Sequence, residues 1–94
     1  MNLTFEWNEE KAKENLKKHK VSFEEAKTVF NDPFLMTFPD IEHSEDEKRY
    51  INLGSSSKRR VLIVIHTERD ENIRIIGCRK ATTKERSTYE EGYF

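Results

Sequence analysis

The fold is decided by residues 48–80, KRYINLGSSSKRRVLIVIHTERDENIRIIGCRK, in which two short polar segments separate three apolar ones. The apolar segments are rich in β-branched residues and alternate with a period of two, which is typical of strands. They predict strands at residues 48–53, 60–67 and 73–79. The polar segments 54–58 and 68–72 have the length of hairpin loops, so we expect an antiparallel meander.

The sequence before the meander predicts a helix that begins after Asn8, a good N-cap, and extends to about His19. Lys11, Asn15 and His19 recur every four residues and therefore share one face of this helix. A short strand at residues 3–7 is possible before it.

A second helix is predicted from Ser22, because Glu25 three residues later completes a capping box, and Asn31-Asp32-Pro33 ends it. The remaining predicted elements are a strand at 34–38 and a last helix over 84–91, capped by Thr82 or Thr83. We therefore expect a single α+β domain over residues 1–94, with two N-terminal helices and one C-terminal helix packed on one face of the sheet.

The composition excludes several classes of protein. No stretch approaches the roughly 20 apolar residues of a membrane span, and the N-terminus lacks the apolar region of a signal peptide, so we expect a cytoplasmic protein without membrane contact. The single cysteine, Cys78, lies in an apolar run and is expected in the core. Because no metal-ligand spacing or phosphate-binding loop is present, we expect neither a metal nor a cofactor.

The net charge of −1 hides a gradient along the chain. Residues 33–47 contain five acidic and no basic residues, whereas residues 48–94 contain eleven basic and six acidic ones. Screening confines each charge to a range of about 8 Å, so a basic patch can attract RNA even on a neutral protein. A solvated surface whose charges pair locally is the alternative explanation.

Hairpin geometry predicts where the basic residues of the meander lie. With loops centred near residues 57 and 70, His66 lies beside residues 48–49 on one strand and beside Arg74 on the other. At the opposite end of the sheet, Arg60 approaches residues 79–80. Several cations thus share one small sheet, an arrangement that often indicates an anionic ligand because like charges weaken strand pairing.

Cations and a histidine on a sheet suit metal-independent cleavage of RNA, in which the ribose 2′-hydroxyl attacks the adjacent phosphate. The predicted catalytic residues are Arg60, His66, Arg74 and Arg79, and the predicted RNA-binding residues are Lys18, His19, Arg49, Lys80 and Arg86. His66 serves as base or acid, or only hydrogen-bonds a loop. His19 contacts RNA, or only caps the dipole of the first helix.

Four segments occur in the order FEWNEEKAKENLKKHKVSFEEAKTVF (5–30), PDIEHSEDEKRY (39–50), LGSSSKRRVLIVIHTER (53–69) and IRIIGCRKATTKERSTYEE (73–91). Together they resemble the BrnT toxins of type II toxin–antitoxin systems over nearly the whole chain. The sequence departs from that family at Asn8, where Asp is usual, at Lys20, where Gly is usual, and at Gly77-Cys78, where residues such as Ser-Ala are common.

The resemblance implies a RelE-like ribonuclease fold, an enzyme that arrests translation, and a BrnA-like antitoxin of the ribbon-helix-helix type. That antitoxin binds DNA, so any DNA contact of this chain is indirect, and the two proteins form a hetero-oligomer. Family-typical positions that recur here are His19, Arg49, His66, Arg74, Arg79, Glu85 and Arg86. Glu85 and Arg86 are expected to form a structural pair on the last helix.

Two hypotheses of different classes remain. The first is a ribonuclease toxin whose antitoxin covers the basic sheet or its rim, with Tyr89, Tyr93 and Phe94 as candidate contacts. The second is a non-catalytic basic module that docks an acidic protein partner or DNA.

Overall fold

The computed structural model describes residues 3–92, so Tyr93 and Phe94 lie outside the described residues. Within this range one sheet has the strand order β1-β5-β4-β3-β2. The strands are β1 (Phe5–Glu6), β2 (Met36–Pro39), β3 (Arg49–Ser55), β4 (Val61–Arg69) and β5 (Asn72–Lys80). The helices are α1 (Glu9–His19), α2 (Phe23–Lys27) and α3 (Thr83–Glu91), with short 3-10 turns at Thr28–Asn31 and Ile41–His43.

The predicted meander is confirmed, because β3, β4 and β5 pair antiparallel in sequence order. The α+β class and the three predicted helices are also confirmed. The sheet is not purely antiparallel, since β1 runs parallel to β5 at its edge. In residues 3–92 no helix has the length and apolar character to cross a bilayer.

Side-chain caps define where the first two helices begin. The Asn8 and Ser22 side chains accept hydrogen bonds from backbone N–H groups, at Lys11 (3.1 Å) and Glu25 (2.9 Å) respectively. α1 ends at Lys20, which adopts the left-handed conformation with φ of 61° that glycine takes most easily. The Ser22 capping box is only half formed, because the Glu25 carboxylate bonds elsewhere.

The hydrophobic core lies between the first two helices and one face of the sheet. Its buried members are Val21, Phe23, Ala26, Val29, Leu62, Val64, Ile73, Ile75 and Cys78. α3 does not join that layer: Arg79, which alternates with the buried Cys78, hydrogen-bonds Glu85 in the first turn of α3. The expectation that all helices pack on one face is therefore wrong, because the start of α3 lies on the opposite face.

The strand register differs from the hairpin arithmetic by one or two residues. Tyr50, rather than residues 48–49, lies opposite His66, and Arg74 lies opposite Thr67. The predicted approach of Arg60 to residues 79–80 is wrong, since those residues pair with positions 63 and 62. A β-bulge causes part of the shift: the register changes between Ile65 and His66, which leaves one extra residue on β5.

Candidate active site

The predicted cations are divided between the two faces of the sheet. His66 alternates with the buried Leu62 and Val64 and points toward the helices, where Phe30 contacts its ring. The opposite face, which we call the groove face, carries Arg49, Arg74 and Arg79. Arg49 and Arg74 both pair with Thr67 of β4, and Arg79 pairs with Ile63 of β4. Thr67 and Ile63 are four residues apart, so their side chains lie on the same face of the sheet.

His66 is buried, with 4% of its surface exposed. Its ring stacks on Tyr50 with 5.1 Å between the centroids, and its Nδ1 lies 2.7 Å from Nδ2 of Asn52. An amide NH2 group only donates, so Nδ1 accepts and the neutral ring carries its proton on Nε2. Burial lowers the pKa of His66, against an opposing effect of Glu68. This geometry favours the structural hydrogen-bonding role over that of a base that meets substrate.

Arg60 points toward α2 and forms an ion pair with Glu25, whose side chain is 2% exposed. Nε of Arg60 lies 2.9 Å from Oε2 of Glu25, and Nη2 bonds the other carboxylate oxygen. The Ser56 hydroxyl donates to the same carboxylate at 2.7 Å. The bonds from Arg60 keep the pKa of Glu25 below its ordinary value despite burial. Arg60 therefore joins α2 to the β3–β4 hairpin.

An open groove of about 310 Å³ crosses the groove face. Its floor is apolar and formed by side chains of Ile51, Ile63 and Ile65 beside the backbone of Gly77. Its walls are polar and consist of Asn15 and His19 from α1, with Arg79 from β5 and Glu85 from α3. The structure thus brings His19 and Arg79, two predicted site residues from distant parts of the sequence, to one concave surface.

Asn15 holds α1 against the groove. Its Oδ1 accepts the Cys78 backbone N–H at 3.1 Å, and its Nδ2 donates to the carbonyl of Val21 at 2.9 Å. β1 pairs with β5 only at residues 73 and 74, so the Asn15 amide satisfies a strand-edge group that β1 does not reach. His19 lies one turn later on the same helix face, which places it over the groove.

The opposite wall is fixed by an ion pair. Nη1 and Nη2 of Arg79 lie 2.7 and 3.0 Å from the two carboxylate oxygens of Glu85. Glu85 also accepts the Thr82 N–H at 2.8 Å in a complete capping box at the start of α3. Chiefly because of Arg79, the pKa of Glu85 falls to about 2, so this carboxylate stays ionised at neutral pH. The expected pairing of Glu85 with Arg86 is wrong, because the partner of Glu85 is Arg79.

The other predicted residues do not line this groove, and Lys80 pairs with the buried Leu62 on the helix face of the sheet. Lys18 lines a shallow depression that shares Asn15 and His19 with the groove. Arg74 is bonded to Glu6 of β1 at 3.1 Å. Lys80 and Arg86 are exposed and follow Arg79 and Glu85 in the chain. Arg49 lies on the groove face and also lines a cavity with the acidic residues of positions 42–47.

Two groups of functional interest were not identified from the sequence. The first is the Arg79–Glu85 pair, for which the Thr82-x-x-Glu85 capping pattern was the available signal. The second is the apolar floor, which depends on a strand register that the sequence does not define to one residue.

Within residues 3–92 neither a metal site nor a reactive thiol is found. Among residues 3–92, no group of three or more His, Cys, Asp or Glu side chains is placed to hold a metal ion. Cys78 borders the groove, but burial raises the pKa of its thiol to about 12, which is unlike a nucleophilic cysteine.

The fold of this small α+β domain, whose open groove is lined by His19 and Arg79, is similar to that of a solved structure. The crystal structure of the Brucella abortus ribonuclease toxin BrnT matches with a TM-score of 0.67 and 19% sequence identity, covering 87% of this chain and 100% of that one. The model of the family described as "Ribonuclease toxin, BrnT, of type II toxin-antitoxin system" matches residues 7–85. The chain belongs to this BrnT family, so the resemblance seen in its sequence is confirmed. A search of curated proteins found no match.

Proposed function

We propose that this protein, one toxin domain over residues 1–94, is a metal-independent endoribonuclease that cleaves RNA in the cytoplasm and thereby arrests translation. The observation that carries this proposal is the shared groove: His19 and Arg79 line it together on the accessible face of the sheet. A histidine imidazole can both accept and donate a proton, and an arginine guanidinium stays charged, which are the properties that general acid–base catalysis and phosphate stabilisation require.

In the proposed reaction the 2′-hydroxyl of the RNA loses its proton to a base and attacks the adjacent phosphorus. The bond to the 5′-oxygen of the next nucleotide breaks, and that oxygen takes up a proton, leaving a 2′,3′-cyclic phosphate and a 5′-hydroxyl. His19 takes part in the proton transfers, while Arg79 stabilises the extra negative charge on the phosphorane.

The remaining predicted residues have supporting roles in this proposal. Arg49 and Arg74 lie in one row of the groove face, about 13 Å along the strands from Arg79, where they bind the RNA backbone beyond the scissile bond. Lys18 and Arg86 supply further phosphate contacts at the rim, and Lys80 supplies one from the end of β5. Arg60 and His66 act on the helix side of the sheet by holding the fold.

Cleavage of a defined RNA oligonucleotide in the presence of EDTA tests the proposal. We expect cleavage by the parent protein, no cleavage at a bond whose ribose lacks the 2′-hydroxyl, and strongly reduced cleavage by His19→Gln and Arg79→Ala. Arg69→Ala is the matched control, because it also removes one arginine from an exposed ion pair, that with Glu47, outside the groove. Equal activity of Arg79→Ala and Arg69→Ala would place the active site elsewhere, and dependence on an added metal ion would refute the mechanism.

The family places the chain in a type II toxin–antitoxin system, which has an antitoxin partner. We propose that the antitoxin is a BrnA-like ribbon-helix-helix protein, that it forms a hetero-oligomer with this chain, and that it covers the groove face. Tyr89 is a poor candidate for that contact, since its half-buried hydroxyl donates to Asp32. Co-purification with the antitoxin is expected to abolish RNA cleavage, and unchanged cleavage by the complex contradicts this part of the proposal.

A further inference from the structure

The guanidinium of Arg79 has five N–H donors, and their use by the protein is uneven. The terminal nitrogens together direct three N–H groups at the protein: Nη1 donates to Glu85 and to the Lys80 carbonyl at 3.2 Å, and Nη2 donates to Glu85. Within residues 3–92, no hydrogen-bond partner engages Nε or the second N–H of Nη2. These two donors lie side by side along one edge of the guanidinium plane.

Two parallel N–H groups match two oxygens of a phosphate, which is the bidentate geometry that arginine uses best. We infer that Glu85 is a positioning residue of the ribonuclease: it locks the guanidinium of Arg79 so that the Nε–Nη2 edge faces the groove and receives the scissile phosphate. This inference rests on the proposed function and adds to it a residue that never touches the RNA.

Glu85 is suited to this role because it is itself fixed. Its carboxylate bonds both terminal nitrogens of Arg79 and the Thr82 N–H at once, so it cannot rotate without losing one of these bonds. The Arg79 side chain is 42% exposed, so without Glu85 it would be free to sample many rotamers in solvent. The positive charge that attracts RNA remains in either case, whereas its orientation depends on Glu85.

Steady-state and single-turnover kinetics of Glu85→Gln, Glu85→Asp and Thr82→Ala separate orientation from stability. We expect Glu85→Gln to lower kcat by at least about tenfold with an unchanged or lower KM, because one negative charge is removed from the groove while Arg79 loses its fixed geometry. Glu85→Asp, which keeps the carboxylate, should recover part of kcat. Thr82→Ala weakens the same helix cap without touching Arg79, so it should lower stability and leave kcat unchanged.

A second readout does not depend on cleavage. An oligonucleotide of 2′-deoxynucleotides cannot be cleaved by 2′-hydroxyl attack, and its binding can be followed at the Arg79 Nε–H signal by NMR. We expect that signal to shift on binding in the parent protein and in Thr82→Ala, and to shift much less in Glu85→Gln. The inference is overturned if Glu85→Gln keeps the parent kcat, if Thr82→Ala loses kcat equally, or if the Arg79 signal does not respond. A parent protein that binds this oligonucleotide through Arg79 but cleaves no RNA would refute the proposed function alone.

Discussion

Replacement of Gly77 by valine tests directly whether the groove is where RNA is cleaved. Gly77 lies in the groove floor, opposite Ile65 and between the walls formed by α1 and Arg79. A Cβ atom at this position meets no atom nearer than Oδ1 of Asn15, at 3.8 Å, which is ordinary van der Waals contact. The fold therefore has room for a Cβ atom at Gly77, whereas a nucleotide bound in the groove would be displaced by it.

The size of the effect follows from these distances. Valine is a good strand residue and glycine a poor one, so we expect the free energy of unfolding of Gly77→Val to stay within about 1 kcal/mol of the parent value. A phosphate or ribose displaced by about 1 Å loses on the order of 100-fold in rate. We therefore expect kcat/KM to fall at least about 100-fold, which corresponds to about 2.7 kcal/mol of transition-state stabilisation.

The assay is cleavage of one RNA oligonucleotide in EDTA, with urea denaturation of each variant as the check on folding. Gly77→Ala adds only the Cβ atom and should give an intermediate loss of kcat/KM. A Gly77→Val protein with parent stability and parent activity would refute the assignment of the groove as the active site. Equal losses of stability and activity would instead show that the floor is packed more tightly than the structure indicates.

Three further perturbations test the fold around the site. Arg60→Ala leaves the charge of Glu25 buried without its partner, so it should lower the free energy of unfolding, measured by urea denaturation, by about 3 kcal/mol. Adding Glu25→Gln to this variant should recover part of the loss. A loss below about 1 kcal/mol contradicts a structural role of the ion pair. Lys20→Gly relieves a left-handed residue and should raise stability by about 0.5–1 kcal/mol, visible as a higher Tm, whereas no gain would mean that the lysine side chain compensates. The depressed pKa of His66 means that the unfolded chain takes up a proton before the folded chain does, so stability present above about pH 6.5 is lost as the pH falls toward the folded-state pKa. Urea midpoints at several pH values should show this loss in the parent and a weaker one in His66→Gln; identical pH profiles would disprove the contribution of His66.

The elements of this fold could be predicted from the sequence because each depends on local signals. Asn8 and Ser22 mark helix starts through caps that need only the next three residues, and the alternating segments of the meander mark its three strands. The pairing of β1 with β5 could not be predicted in the same way, because the sequence pattern of a two-residue strand is too short to indicate which distant strand it pairs with.

The site was only partly predictable because faces and partners depend on register. A shift of one residue moves a side chain to the other side of a sheet, and the predicted register was uncertain by that amount. Arg79 and His19 could be named from the sequence as residues near RNA. The sequence does not show that α1 brings His19 to the same groove as Arg79. The burial of His66 and the pairing of Arg60 with Glu25 depend on tertiary contacts, which no pattern of neighbouring residues in the sequence predicts.

The β-bulge at the end of β4 has a consequence for how β5 tolerates change. Arg74 and Arg79 are five residues apart, an odd spacing that puts side chains on opposite faces of a regular strand. Because Ile76 is the extra residue, the pattern changes phase there: Ile73 and Ile75 face the core before it, Cys78 after it, and both arginines reach the same side. Deletion of Ile76 would restore a regular alternation, with Ile73, Ile75 and Cys78 on the core face and both arginines on the other. A regular strand that kept Ile76 would instead divide the core residues and the arginines between the two faces, so this sequence tolerates the loss of the extra residue better than its incorporation into the ladder.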